Sequence, residues 1–267
     1  MQRRRTYLWA YVLILLSSVS RSPAQGSSLT DSRPQNKPIS SFSIGVEGGW
    51  INNVQSGSFQ NTQGGKGNSA IGTLFFEYDQ NEFFSFGMRI GLDHKLTSAA
   101  SIVTEAVTVV PAQSDSVLTG TLNTLKDAEV SATYFYFAPY FKFSPFGRGA
   151  FIQIAPELGI LTGSNLTSVR KITDNKATLS DGEVISNVRF YNGTQEETLY
   201  DGEIQDVKHT RIALFLTAGY DIPVFGNFLI SPQASYNLAL TNISTAPYAN
   251  NWKISSFAFT LGLRYGM

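Results

Sequence analysis

Apolar and polar residues alternate without a break along residues 84–93. Large apolar side chains occupy the even positions from Phe84 to Leu92, whereas serine, glycine, arginine and aspartate occupy the odd positions from Ser85 to Asp93. Successive side chains of a β-strand point to opposite faces. The segment therefore predicts a strand with one apolar face and one polar face.

The same alternation recurs in eight segments, each about ten residues long. They lie within residues 42–47, 70–78, 84–93, 134–143, 150–160, 211–221, 228–238 and 256–267. Eight amphipathic strands of this length match the smallest membrane barrels. We predict an all-β fold, an eight-stranded antiparallel transmembrane β-barrel.

Short connections alternate with long ones between these segments. Residues 79–82, 144–149 and 221–227 form the short connections, and residues 51–68, 95–129, 162–208 and 241–251 form the long ones. Bacterial barrels have short periplasmic turns and long extracellular loops. This pattern predicts the same arrangement here, with both ends of the barrel on the periplasmic side.

A soluble β-sandwich would also show alternation and turn signals. Such a fold would have to bury one face of every strand. Arg89, Glu157 and Arg211 lie on the face opposite the bulky apolar residues, and an unpaired buried charge costs several kcal/mol. The pattern therefore favours a barrel whose apolar face points outward into lipid.

The N-terminus has the build of a secretory signal peptide. Arginines at positions 3–5 precede an apolar run over residues 7–16, and small residues follow at Ser22 and Ala24. A transmembrane anchor would need roughly 20 apolar residues, about twice this run. We predict a signal peptide over residues 1–24, a periplasmic leader over 25–40 and a barrel over 41–267.

The composition narrows the classes of function. The chain has no cysteine, which excludes disulfides and thiolate chemistry and favours a bacterial envelope protein over a secreted eukaryotic domain. The 20 basic and 20 acidic residues balance in the full chain, and the predicted cleavage would remove four arginines and no acid. The remaining net negative charge gives no indication of a nucleic-acid partner.

Nine charged side chains lie on the polar face of the predicted strands and therefore point into the predicted barrel. They are Glu47, Glu77, Asp93, Glu157 and Asp221, together with Arg89, Lys142, Arg211 and Arg264. An eight-stranded barrel is only wide enough for its own side chains to fill. We expect these residues to form a structural plug, while a narrow pore or a transport or secretion accessory barrel stays open as an alternative.

Candidate catalytic and metal-binding residues are few. The two histidines, His94 and His209, are predicted at the long-loop rim, where a serine and histidine pair could modify lipid A; no motif supports this. Residues 181–183 and 201–203 resemble fragments of calcium loops without the further ligands. We predict no catalysis, no cofactor and no metal site, and we interpret these segments as tight turns of hairpins in the third long loop.

Prolines and aromatic residues give two more predictions. Pro139, Pro156 and Pro232 lie on the apolar parity, and since proline cannot donate to a ladder we expect local bulges there. Aromatic side chains favour membrane interfaces. Trp50, Tyr248 and Trp252 are accordingly predicted at the interface on the long-loop side.

The last strand resembles the C-terminal insertion signal that the barrel assembly machinery of outer membranes reads. Aromatic and aliphatic residues alternate from Phe257 to the chain end, although that pattern usually ends in phenylalanine and this chain ends in Met267. Through segments such as Ala155–Gly159 and Ile230–Ala234, residues 41–267 resemble an outer-membrane β-barrel domain family of Bacteroidetes-type bacteria, which includes barrels related to PorT and small OmpA-like barrels.

The resemblance implies a protein of the bacterial outer membrane, with membrane lipid and the assembly machinery as partners. We expect a monomeric, non-catalytic barrel with a structural or surface-binding role. Large polar loops on a rigid scaffold are where binding usually resides, so an extracellular ligand would be held by the long loops.

Overall fold

A computed structural model of the chain describes residues 41–59, 62–114, 116–147, 149–247 and 249–267. The predicted signal peptide and leader lie outside these residues. Fourteen strands form one sheet: β1 (Ser41–Phe59), β2 (Thr62–Gln63), β3 (Lys66–Asp79), β4 (Phe84–Pro111), β5 (Leu118–Phe143), β6 (Ala150–Ile172), β7 (Lys176–Leu179), β8 (Val184–Ser186), β9 (Val188–Phe190), β10 (Glu196–Gly202), β11 (Thr210–Tyr220), β12 (Ile222–Phe225), β13 (Phe228–Ala239) and β14 (Ala249–Gly266). Within the described part of the chain, no helix is long and apolar enough to cross a membrane.

Eight of these strands close into a ring. The ring runs β1, β3, β4, β5, β6, β11, β13 and β14, and each strand pairs antiparallel with the next. The last strand returns to the first, with pairs from Ser43 and Gly266 to Phe59 and Ala249. The prediction of an eight-stranded antiparallel barrel is confirmed.

The register of the ring fixes the tilt of its strands. A path of directly paired residues leaves β1 at Ile51 and returns to β1 at Ser41, a stagger of ten residues. The path passes through Ala258, Ser235, Thr217, Gln153, Lys142, Ser85 and Asp79. A closed sheet with such a stagger has strands that are strongly tilted from the barrel axis, and with eight strands its interior is filled by side chains.

The two faces of the ring are opposite to those of a soluble protein. On β4, Phe86 and Leu92 are 47% and 53% exposed on the outside, whereas Arg89 and Asp93 are 4% and 0% exposed on the inside. The other ring strands repeat this division. Apolar side chains outside and polar ones inside are the arrangement of a membrane barrel, so the sandwich alternative does not apply.

A polar collar marks the upper end of the apolar outer surface, on the side of the long connections. Each ring strand places one polar residue there, on the strand or just beyond its end: Asn52, Asn68, His94, Thr133, Thr162, Thr210, Thr241 and Ser255. Asn52 Nδ2 donates to Asn68 Oδ1 at 3.0 Å, and His94 Nδ1 lies 2.9 Å from Thr133 Oγ1. Trp50 lies directly below the collar and stacks on Phe259, as expected of an interfacial aromatic residue.

Trp252 does not lie in this interface. It has the inward parity of β14, and its side chain is fully buried in the barrel mouth. The prediction for Trp252 was wrong because it considered only the aromatic side chain and not the face of β14 on which position 252 lies. Tyr248 lies outside the described residues.

Three ring strands continue far beyond the collar and form an outer extension. β4 runs to Pro111 and β5 begins at Leu118, so the predicted loop over residues 95–129 is mostly a hairpin. β6 reaches Ile172, and β7 to β10 pack onto the edges of this three-stranded wall. The predicted loop boundaries were wrong here, because strands above the membrane no longer need one apolar face. The hairpin predicted around residues 181–183 is confirmed as β7 and β8. The turn predicted at residues 201–203 was wrong, because Asp201 and Gly202 pair with β6 at the end of β10.

The prolines interrupt the ladder without the predicted bulges. Pro139 and Pro156 fall at the same level on β5 and β6, and the pairing lapses there but resumes in the same register. The register shift between these strands lies instead at Thr133 and Tyr134. Pro232 directly precedes Gln233, the first residue of β13 that pairs with β11, also without a register shift. All three prolines are exposed on the outer face. Because Pro139 and Pro156 share one gap, their two missing donors interrupt the ladder at a single level.

Candidate functional site

The nine charged residues predicted for the interior all lie inside the ring, and each forms an ion pair. Eight of them are at most 6% exposed, and Asp221 is only slightly more open, at 11% for its side chain. They divide into three layers along the barrel axis. These layers are the first candidate for function because they decide whether anything can pass through the barrel.

The lowest layer, near the short turns, joins two acids to two bases. Lys142 Nζ lies 3.0 Å from Glu77 Oε1 and 2.7 Å from Asp221 Oδ2. Arg264 pairs with the same two carboxylates. Tyr140 donates to Glu77 Oε2 at 2.9 Å. Because each charge meets two of opposite sign, this layer is neutral, and it links β3, β5 and β14 to Asp221, the residue that follows β11.

The middle layer is a single ion pair with an amide partner. Arg89 Nη2 lies 3.1 Å from Glu47 Oε2 and donates to Gln233 Oε1 at 2.8 Å. The Arg89 guanidinium also lies 5.4 Å from the centre of the Tyr140 ring, within the range of a cation–π contact. These contacts connect β1, β4, β5 and β13 across the barrel.

The upper layer contains a residue that the sequence interpretation missed. Arg211 pairs with Glu157 and lies 3.6 Å from Asp93 Oδ2, while Lys95 Nζ lies 2.8 Å from the same Asp93 oxygen. Asn237 Nδ2 donates to Glu157 Oε2 at 2.5 Å. Lys95 was assigned to a loop, although it continues the inward parity of Arg89 and Asp93 and is 1% exposed. With Lys95 the three layers hold five acids and five bases.

Little free space remains between these side chains. A cavity between the lowest and middle layers has a volume of about 10 Å³, room for about one water molecule. Above the upper layer, Trp252, Val130 and Ile254 form an apolar cluster with Leu166, Ile204 and Ile243. Buried charges need partners to offset the loss of water, and here the ion pairs make each of the three layers neutral.

The outer extension has its own small core and charge cluster. Val107, Val109, Leu122, Val188 and Phe190 are buried together. Below them, a polar cluster centres on Glu105, which lies 2.8 Å from Lys126 Nζ and 3.3 Å from Arg170 Nη1, and which accepts a hydrogen bond of 2.7 Å from Thr124. The extension is therefore a folded element rather than a set of open loops.

The environment of Glu105 changes its acidity. Partial burial raises the pKa of the Glu105 carboxyl, but hydrogen bonds from Lys126, Thr124 and Arg170, together with the positive charge of Lys126, outweigh burial. The net result is a pKa below the usual value of 4.5. Glu105 is therefore ionised at neutral pH and ties three strands of the extension together.

An open polar groove lies on the surface of the extension. Thr104, Asn123, Asp174 and Lys176 line it with Thr178 and Val184, and its volume is about 610 Å³. Asn123 Nδ2 donates to Asp174 Oδ2 at 2.7 Å. Hydroxyl, amide and charged groups meet here at a solvent-exposed site.

The histidines do not meet a nucleophile of the expected kind. The hydrogen bond of His94 runs to a threonine, Thr133, and His209 is exposed near the rim. Among the described residues, no group of three or more histidines, aspartates or glutamates could hold a metal ion. Residues 181–183 form a turn between β7 and β8, where Asp181 Oδ1 accepts from the Glu183 amide at 3.0 Å.

Comparisons with known proteins add little to these observations. No family model matches the chain, and no curated protein matches it, so the resemblance to PorT-related barrels stays a prediction. Three solved outer-membrane proteins are similar to the chain at low identity. Neisserial surface protein A is 13% identical, with 84% of this chain and 96% of that one covered and a TM-score of 0.35.

The other two solved structures have similar identities, coverages and TM-scores. OprG from Pseudomonas aeruginosa is 14% identical, with 86% of this chain and 97% of that one covered and a TM-score of 0.34. Ail of Yersinia pestis is 10% identical, with 84% and 98% covered and a TM-score of 0.30. Scores this low carry no argument about function.

Proposed function

We propose that this chain is a bacterial outer-membrane barrel that is closed to ions and presents a folded β-extension outside the cell as a binding surface. In this role the ring is an anchor and scaffold, and catalysis plays no part. The observation that carries the proposal is the pairing of all ten charges of the three layers, with a cavity of only about 10 Å³ between the lowest and middle layers. A hydrated ion would have to break several of these pairs to pass.

The outer surface supports the membrane location. Exposed apolar side chains such as Phe86, Leu92 and Phe259 encircle the ring, and a polar collar bounds them on the side of the extension. Burying apolar surface in lipid is favourable by roughly 25 cal/mol per Å². A closed sheet also satisfies the backbone groups that lipid cannot.

The extension supports the surface-binding role. β4 and β5 rise beyond the collar, carry a buried apolar core around Val109, and expose a polar groove. A stable core at this distance from the membrane is not needed to close the barrel. We infer that the extension holds a binding surface in a fixed position above the membrane.

Cysteine labelling on intact cells tests this arrangement. The chain has no cysteine, so single substitutions give a clean signal. Tyr191→Cys lies in the turn between β9 and β10, and Phe146→Cys lies in the short turn between β5 and β6; the native residues are 73% and 85% exposed. A membrane-impermeant maleimide should label the first variant on intact cells and both variants after lysis. Equal labelling of Phe146→Cys on intact cells would refute the proposed orientation.

A further inference from the structure

The basic side chains that form no ion pair are concentrated directly above the polar collar. Within the described part of the chain, eight lysines and arginines form ion pairs with acids. The basic residues without such a pair are Lys66, Lys176, Arg189, Lys208 and Lys253. Three of these, Lys66, Lys208 and Lys253, lie two residues along the chain from a collar residue, on the side away from the apolar surface. Unpaired positive charge therefore gathers at one height on the barrel.

Lys66 and Lys253 are on the outer face of the barrel. Trp252 and Ile254 are buried together in the barrel mouth, so Lys253 between them points outward. On β3, Ile71 is buried on the inner face, whereas Lys66 lies on the opposite face and is exposed. Both side chains therefore lie on the outer wall, just beyond the apolar surface.

The two lysines lie on either side of β1. Lys66 and Ser255 both pair with Val54 of β1, and Lys253 pairs with Ser56. Since neighbouring strands are about 4.8 Å apart and residues follow each other at about 3.4 Å, the two lysine Cα atoms are about 12 Å apart. Each ammonium group is carried on a flexible four-carbon stem. Both lysines can therefore reach a single group that lies in front of β1.

The part of the sheet that carries these lysines contains no acid. Residues 48–76 and 222–267 include the upper parts of β1 and β3 and all of β13 and β14, and they contain no aspartate or glutamate. Exposed acids near this height begin at Glu129 on β5 and at Asp206, which is two residues from Lys208 and competes for it. We call the outer faces of β14, β1 and β3 above the collar the basic sector.

The surface below the basic sector sets its height in the membrane. Trp50 lies directly below the collar, is exposed on the outer face and stacks on the exposed Phe259 of β14. Tryptophan favours the boundary between headgroups and hydrocarbon. Because Lys66 and Lys253 lie above this boundary, they are at the height of the headgroup phosphates, where lysine is attracted to anionic lipid.

We propose that the basic sector binds the phosphate group of an anionic phosphorylated lipid of the outer leaflet. Lys66 and Lys253 contact the phosphate from the two sides of β1, and the acyl chains lie along Trp50 and Phe259. Charge complementarity selects this occupant, since the sector offers unpaired cations and no acid. The inference goes beyond the proposed function and rests on it only for the choice of leaflet.

Quenching of tryptophan fluorescence by brominated lipid tests the proposal. Trp50 and Trp252 are the tryptophans that follow the predicted signal peptide. Since Trp252 is buried in the barrel mouth, quenching reports on lipid beside Trp50. The mature chain is refolded in phosphatidylcholine vesicles with a small, fixed fraction of dibrominated lipid, either phosphatidic acid or phosphatidylcholine. Phosphatidic acid should be preferred beside Trp50 by about fivefold for each lysine, the equivalent of about 1 kcal/mol.

The double variant Lys66→Gln/Lys253→Gln should lose this preference, so that both brominated lipids quench equally. Lys176→Gln/Arg189→Gln is the matched control, because it removes two unpaired cations from the outer extension and leaves the basic sector intact. A heat-dependent gel shift shows that each variant has folded. A preference in the wild type and the control, but not in Lys66→Gln/Lys253→Gln, supports the site.

Three results would overturn the proposal. They are equal quenching by the two lipids in the wild type, a preference that Lys66→Gln/Lys253→Gln retains, and a loss of preference that the control shares. A preference that inorganic phosphate abolishes at constant ionic strength would also overturn it, because the site would then bind free phosphate rather than lipid. Ion conductance and maleimide labelling test the proposed function separately, so the two proposals can fail independently.

Discussion

Single residues in the interior act as pairs rather than as individual charges. Arg211, Glu157, Asp93 and Lys95 are almost fully withdrawn from water, and their charges sum to zero. A buried ion pair adds little stability compared with an apolar pair, but removing one partner leaves the other charge buried without a partner. The interior should therefore tolerate the loss of a pair better than the loss of one member.

Replacement of Arg211 tests this dependence. Arg211→Met leaves Glu157 and Asp93 with only Lys95 as a cation in the upper layer, and the free energy of unfolding should fall by about 3 to 5 kcal/mol. The double variant Arg211→Met/Glu157→Gln restores neutrality and should recover a large part of this loss. Urea unfolding of the protein in lipid vesicles measures both. A double variant as unstable as the single one would argue against charge balance as the cause.

Glu105 gives a dependence on pH in the outer extension. Its pKa in the folded protein lies below the usual 4.5, so the stabilisation it contributes is fully present above 4.5 and is lost as the pH falls through the lower folded value. Amide hydrogen exchange over residues 119–127, corrected for intrinsic rates, should show this loss. Glu105→Gln should weaken protection at neutral pH and remove the acid-dependent step. A step of the same size in the variant would assign it to another group.

At the scale of the strands, sequence predicts those in lipid better than those above it. Within the membrane, lipid and the packed interior demand opposite side chains, so alternation is strong from Phe84 to Leu92. Above the collar both faces of a strand contact water or protein. The difference in polarity between the two faces then disappears, although successive side chains still point to opposite faces. Lys95 was missed for this reason, and so was the full length of β4 and β5. The partners that pair with these strands, β7 to β10, are set by contacts distant in the sequence.

Closure of the ring between β1 and β14 depends on a glycine that lets the two backbones lie close together. A Cβ atom at Gly49 would lie 2.1 Å from the Phe259 carbonyl oxygen, where β1 meets β14, whereas a Cβ atom at Gly72 would have no atom within 4 Å. Gly49→Val should therefore prevent closure of the ring and abolish the heat-dependent gel shift. Gly72→Val, on the outer face of β3, is the control and should fold. Normal folding of Gly49→Val would show that β1 and β14 lie further apart at this position than the structure indicates.

At the scale of the molecule, closure of the ring and filling of its interior follow from the same arrangement. Eight strands with a stagger of ten residues leave room only for side chains. The inward-facing positions of the three layers supply acids and bases in equal numbers. The fold class and the nine interior positions could be predicted from alternation alone. The way these charges pair, and the length of the outer extension, depend on register and could not be predicted in this way.

The most direct test of the closed barrel is the single-channel current of the refolded protein in a planar lipid bilayer. A gel shift on heating first shows that the protein is folded. The account predicts no steady current, because an ion would have to displace the paired charges around Arg89, Lys142 and Arg211. Regular ohmic steps from the folded wild-type protein would contradict it and would identify the three charged layers as the lining of a pore.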